Sequence, residues 1–145
     1  MTHPLVGTWS LQQYLFSGRK KDDFHRNFCE NSYGTLIYDE SMNFSAQVCS
    51  YRRPEAEEKD PFLLAADQTI EAYRSYIAYF GTYEIQAGQD TVHHIVRGSL
   101  YPSWQGTVQE RYFELGVDQN QLTISTPPIY IENNPMQMTL HWQRL

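Results

Sequence analysis

Arg111 follows Gln109 and precedes Phe113 and Leu115 at two-residue spacing, so in an extended strand these four side chains share one face. An arginine set among apolar neighbours needs an anionic partner, because burying an unpaired charge is costly. Its planar guanidinium suits a ligand carboxylate or enolate held through two parallel hydrogen bonds. The competing expectation has Arg111 facing out towards Glu84 or Glu110, or satisfied inside by tyrosine hydroxyls and backbone carbonyls. His94 and Tyr83 would add hydrogen bonds to the same ligand if residues 79–98 fold as a hairpin. The same groups would equip a cyclase or isomerase: His94 with Tyr83 as acid and base on a bound carbonyl, Arg111 stabilising the developing oxyanion. They equally suit a binding protein that holds a polar head group.

A metal centre is not indicated. His93 and His94 are adjacent, and neighbours on a strand point to opposite faces. Cys29 and Cys49 lack paired ligand spacing; both are expected as free thiols, Cys49 as a small wall residue without a base to activate it. His141 is expected to be exposed. No cofactor is implied.

Positioning these groups requires strands. Runs of alternating apolar and polar residues separated by turn clusters cover 6–16, 33–39, 43–50, 79–86, 91–98, 108–115, 121–126 and 136–144. Eight strands are the number whose closed up-and-down barrel leaves an interior wide enough for side chains or one small ligand. Asp60-Pro61 reads as a cap and first helical residue, and Ala66, Ile70, Tyr73 and Ile77 follow at helical spacing. A helix over 61–77 is therefore expected between strands three and four, its apolar stripe covering the open end of the barrel. The charged stretch from Arg52 to Lys59 reads as an exposed connection.

Hairpin register tests the strands, because apolar faces must meet. A turn within Ala87–Asp90 sets Tyr83 opposite His94, Ile85 opposite Val92 and Gly81 opposite Val96. A turn over Val117–Asn120 sets Leu115 opposite Leu122 and Phe113 opposite Ile124. Shifting the turn at Asp39–Asn43 by one residue exchanges Leu36 and Ile37, which leaves that inner face open. Parity from Trp9 and Leu11 sends Gln13 inward, and parity on the last strand lines the interior with Met136, Met138, Leu140 and Trp142.

The chain has 145 residues, enough for one domain spanning 1–145 that buries roughly 70% of its extended surface without staples. Its 11 tyrosines and 7 phenylalanines favour strands. A net charge of −6 argues against nucleic acid or an anionic membrane as partner. The basic run Arg19-Lys20-Lys21 is followed by Asp22-Asp23 and reads as a solvated loop. Without an apolar leader or a long apolar stretch, the expectation is a soluble, cytoplasmic protein.

Gly7-Thr8-Trp9 opens the first strand and Trp142-Gln143-Arg144 closes the last. Between them stand Tyr33-Gly34-Thr35-Leu36-Ile37-Tyr38, Ala78-Tyr79-Phe80-Gly81-Thr82-Tyr83-Glu84, His93-His94-Ile95-Val96-Arg97-Gly98-Ser99-Leu100-Tyr101-Pro102, and Phe113-Glu114-Leu115 leading to Leu122-Thr123. Across most of the chain these resemble the lipocalin-like domain family, small bacterial and fungal proteins mostly without an assigned activity. The resemblance implies a calycin-type barrel whose first-strand tryptophan plugs the closed end, with the arginine of the last strand packed across it. Met42 departs from the family by standing where a turn glycine is usual, and the loop from Gly18 to Ser32 is longer and more charged.

The resulting expectation is an eight-stranded antiparallel barrel that binds a small, largely apolar molecule carrying a carboxylate or enol. Gln13, Tyr83, His94, Gln109 and Arg111 would be its polar contacts, and Met136, Met138 and Leu140 its apolar wall. Trp104 would close over the ligand, pack on a partner subunit in a homodimer, or fold onto its own barrel.

Overall fold

A computed structural model describes residues 2–17, 28 and 32–145. The strands are β1 (Gly7–Ser17), β2 (Ser32–Tyr38), β3 (Asn43–Ser50), β4 (Tyr76–Ile85), β5 (Thr91–Ser99), β6 (Val108–Leu115), β7 (Gln121–Ser125), β8 (Ile129–Ile131) and β9 (Asn134–Arg144). Neighbours pair antiparallel from β1 to β7, β7 pairs with β9, and β9 returns to β1, closing an eight-stranded barrel. All eight expected runs are strands. β8 is additional, a short arm on the early part of β9 joined through Glu132 and Asn133, both at positive φ, the conformation of a tight two-residue hairpin.

Both hairpin registers hold: Tyr83 faces His94, Ile85 faces Val92, Leu115 faces Leu122 and Phe113 faces Ile124. The face left open on β2 and β3 is settled by Leu36, Tyr38, Phe44, Ala46 and Val48, which are buried, whereas Ile37 is exposed. Cys49 is buried on the parity opposite to Val48, beside Tyr33, rather than on the interior wall. At Gly81 the backbone of β4 passes so close to the Ile95 carbonyl that a Cβ has no room, which accommodates the register shift there.

Two expectations change. Gln13 does not point inward. The pairing of β1 with β9 skips one residue between Leu11 and Gln13, a bulge that leaves Gln12 unpaired and reverses parity. Gln12 and Gln13 are exposed in consequence, and Tyr14 takes the inner position.

The helix expected over 61–77 divides. A single 3₁₀ turn, Pro61–Leu63, is capped by Asp60, whose carboxylate accepts from the Phe62 amide at 2.9 Å, and the α-helix α1 spans only Ala66–Arg74. Ser75 ends it by turning its hydroxyl back to the Glu71 carbonyl at 2.7 Å, and the alternating run from Tyr76 puts Ile77 on β4, buried. α1 buries none of its residues; Ile70 is exposed, and Tyr73 meets the barrel only by an edge contact to Tyr101. Its stripe is therefore not a plug over the barrel end.

The loop expected over 18–32, with the basic run at 19–21 and Cys29, lies outside the described residues except for Phe28 and Ser32. Phe28 is fully buried against Tyr14. No helix among the described residues is long and apolar enough to cross a membrane.

Candidate ligand cavity

One end of the barrel is closed. Trp9 is fully buried and its indole N–H donates to the Leu5 carbonyl at 2.9 Å. The Arg144 guanidinium lies 4.2 Å from the Trp9 ring centroid. It donates to the carbonyls of Val6 (2.7 Å), Pro4 (2.6 Å) and Gln119 (3.0 and 2.9 Å). Gly7, at φ 146°, leaves the room this guanidinium fills, since a Cβ there would stand 2.5 Å from Nη1. This is the Gly-x-Trp and Trp-x-Arg pairing expected at the closed end.

Towards the other end the inner faces separate around a small cavity of about 60 Å³. Apolar residues Leu36, Val48, Ile77, Ile124, Met138 and Leu140 form much of its wall, with Tyr14, Tyr79, Tyr101 and Trp104 supplying aromatic surface. Trp104 folds onto its own barrel, edge-on to Tyr79 at 5.1 Å and to Tyr101 at 5.2 Å.

Arg111 points inward and is 4% exposed. Its Nη1 donates to the Glu110 carbonyl at 2.8 Å, and its guanidinium carbon lies 5.8 Å from the Trp104 ring centroid. A guanidinium carries five N–H donors. Among the described residues no carboxylate pairs with it, so both outward partners considered from sequence, Glu84 and the side chain of Glu110, are excluded.

His94 is 2% exposed and stacked on Phe44 at 4.2 Å. Burial, then the nearby Arg111 cation, then His93, hold its pKa well below the usual imidazole range, so the ring is neutral. A neutral imidazole has one donor and one acceptor nitrogen, and both are engaged: Nε2 with the Tyr38 hydroxyl at 2.7 Å, Nδ1 with the Tyr79 hydroxyl at 3.0 Å. Tyr79 lines the cavity as well.

Two more donors stand in the wall. The Tyr14 hydroxyl donates only to the Met138 sulfur at 3.0 Å, a weak acceptor. The buried indole N–H of Trp142, also in the wall, has no acceptor among the described residues. Burial, with Tyr101 adding and Arg111 opposing, raises the Tyr14 pKa well above the usual phenol range, and burial likewise raises Tyr101. Tyr14, Tyr101 and His94 are thus neutral at pH 7.

Of the residues singled out from sequence, His94, Arg111, Met138 and Leu140 line the cavity. Tyr83 is buried opposite His94, but its hydroxyl donates to the Asp39 carbonyl at 2.8 Å and braces the β2–β3 turn. Gln109 is half-buried with its amide on the Thr107 hydroxyl at 2.9 Å, and Met136 is buried beneath β8; neither is on the cavity wall. Sequence reasoning missed Tyr14, Tyr38 and Tyr79. Tyr79 was within reach, sharing parity with Tyr83 on one strand. His141 is half-buried and shares a hydrogen bond with Thr123 at 3.1 Å rather than being exposed.

The lipocalin-like domain profile matches residues 6–145. A relative in Aspergillus oryzae (strain ATCC 42149 / RIB 40), the 4'-hydroxy-3'-methoxypropiophenone carrier protein ppsC, is 32% identical over 108 residues, covering 70% of this chain and 96% of the relative. With the closed barrel and its Trp9–Arg144 plug, these matches place the chain as a member of the lipocalin-like domain family.

Proposed function

We propose that the protein binds a small, largely apolar molecule inside the barrel, through an acidic or enol-like oxygen, and releases it unchanged. The observation that carries this reading is Arg111, a buried cation on an apolar wall whose only hydrogen-bond partner among the described residues is a backbone carbonyl. A ligand oxyanion supplies what the interior withholds. The apolar, aromatic wall suits a ring. The relative is named as the carrier of a substituted aryl ketone, and such a compound combines a flat ring with acceptor oxygens. Binding is favoured over turnover because both nitrogens of His94, the candidate acid and base, are held by tyrosines. The free thiol at Cys49 fits a reducing, cytoplasmic setting.

Native mass spectrometry with a panel of hydroxyaryl ketones, aromatic carboxylic acids and their methyl esters tests this. The expected result is retention of the free acids and phenols, weakened about 10- to 100-fold by Arg111→Met. Equal retention by that variant, or ligands recovered chemically altered, would overturn it.

A further inference from the structure

The wall of the cavity is unbalanced in its hydrogen-bonding capacity. Among the described residues Arg111 has N–H groups to spare, the indole N–H of Trp142 is buried without an acceptor, and Tyr14 spends its O–H on sulfur. A buried donor without an acceptor is costly, so an occupant rich in lone pairs and poor in donors completes the site.

The charge is unbalanced in the same sense. The titratable groups facing the cavity are Tyr14 on β1, Tyr79 on β4, His94 on β5, Tyr101 after β5 and Arg111 on β6. β2, β3, β7 and β9 contribute none, and no Asp or Glu stands on the described wall. A phenol brought here meets one uncompensated cation and several donors, all of which favour its ionised form.

We propose that the cavity takes its ligand as an aryl oxyanion, a phenolate, with Arg111 as counter-ion and the Trp142 indole N–H as a second donor. This rests on the binding reading above and adds the protonation state. The phenol O–H bond breaks on binding, the electron pair stays on the oxygen inside the barrel, and the proton passes to the buffer. His94 takes no part as a base, since neither nitrogen is free.

4-Nitrophenol, whose phenolate absorbs at longer wavelength than the phenol, is the probe, with 4-nitrobenzoate and nitrobenzene as comparison ligands. With protein in excess, the titration midpoint of bound 4-nitrophenol is expected about one pH unit or more below that of the free compound, a tenfold or greater preference for the anion. Calorimetry in two buffers of different ionisation enthalpy, midway between the bound and free midpoints, should show about half a proton released per ligand for a one-unit shift, approaching one for larger shifts. Arg111→Met abolishes the shift and Arg111→Lys restores part of it. Trp142→Phe, which keeps a ring in the wall, weakens binding about three- to tenfold. Circular dichroism confirms that each variant is folded.

A bound midpoint equal to or above the free one overturns the inference and leaves the binding reading standing. Tighter binding of 4-nitrobenzoate than of the phenolate overturns the phenol in favour of a carboxylate. Nitrobenzene binding as well as either overturns the oxyanion. Failure of all three to bind overturns the inference together with the reading it rests on.

Discussion

At the closed end, Arg144 donates four hydrogen bonds to the carbonyls of three residues and covers a tryptophan whose own N–H is bonded. In the cavity, Arg111 donates one among the described residues, lies farther from the face of Trp104, and shares the wall with Trp142, whose N–H has no acceptor among them. Identical residue types are thus saturated in one place and left hungry in the other. The difference separates a side chain that holds the fold together from one that the fold holds in readiness.

The contrast breaks if the two arginines respond alike to the same substitution. Arg144→Met strands the carbonyls of Pro4, Val6 and Gln119 and should cost roughly 3 kcal/mol in urea unfolding, since charge-assisted hydrogen bonds contribute about 1.5–3 kcal/mol each. Arg111→Met should leave the unliganded protein equally stable or up to about 2 kcal/mol more stable, because it removes a poorly compensated buried charge. Comparable losses from both would refute the distinction.

Gly7→Ala should cost about 2 kcal/mol through a strained φ and displacement of the Arg144 guanidinium, with little effect on cavity ligands. A normal melting temperature in that variant would show that the plug tolerates rearrangement.

The cavity end should carry a pH dependence through His94. Its folded pKa is depressed below the usual 6.5, so the unfolded chain takes up the proton first. Stability from this group is fully present above about pH 6.5 and declines as pH falls towards the folded pKa, by up to about 1.4 kcal/mol per unit. Between pH 7.5 and 5.5 the wild type should lose about 1 kcal/mol more than His94→Gln. Parallel losses would mean the histidine is charged inside the barrel.

The smallest effect is expected at Met42, whose φ of 67° is left-handed. Met42→Gly should raise stability by under about 1 kcal/mol, relief of the strained φ being partly offset by the freedom glycine gains when unfolded. The turn otherwise stays fixed, because the Asp39 carboxylate accepts from the Ser41 and Asn43 amides at 2.9 and 2.8 Å.

The barrel was legible where two constraints met. Turn chemistry and face matching together placed Tyr83 opposite His94 and Phe113 opposite Ile124. Parity alone also sufficed for Arg111, on a strand that runs unbroken from Val108 to Leu115. It failed at Gln13, since a bulge reverses every side chain after it and one extra residue leaves no mark on the apolar pattern. The helix was overextended because Ile77 fits both periods, and only packing on the inner face of β4 decides between them. What each hydroxyl does was least accessible. Tyr83 and Tyr79 sit four residues apart on the same face of one strand, yet the first braces a turn and the second faces the cavity, a division set by distance from the closed end.

The unpaired Gln12 gives the cavity a way to change composition without any substitution among its lining residues. Were Gln12 instead taken into the ladder opposite His141, every later residue of β1 would slip by one, turning Tyr14 out towards solvent and bringing Gln13 to face the interior. An aromatic donor would be exchanged for a carboxamide that both donates and accepts. A slip of register in this strand is therefore a route by which barrels of this kind can acquire different ligands while keeping their other walls intact.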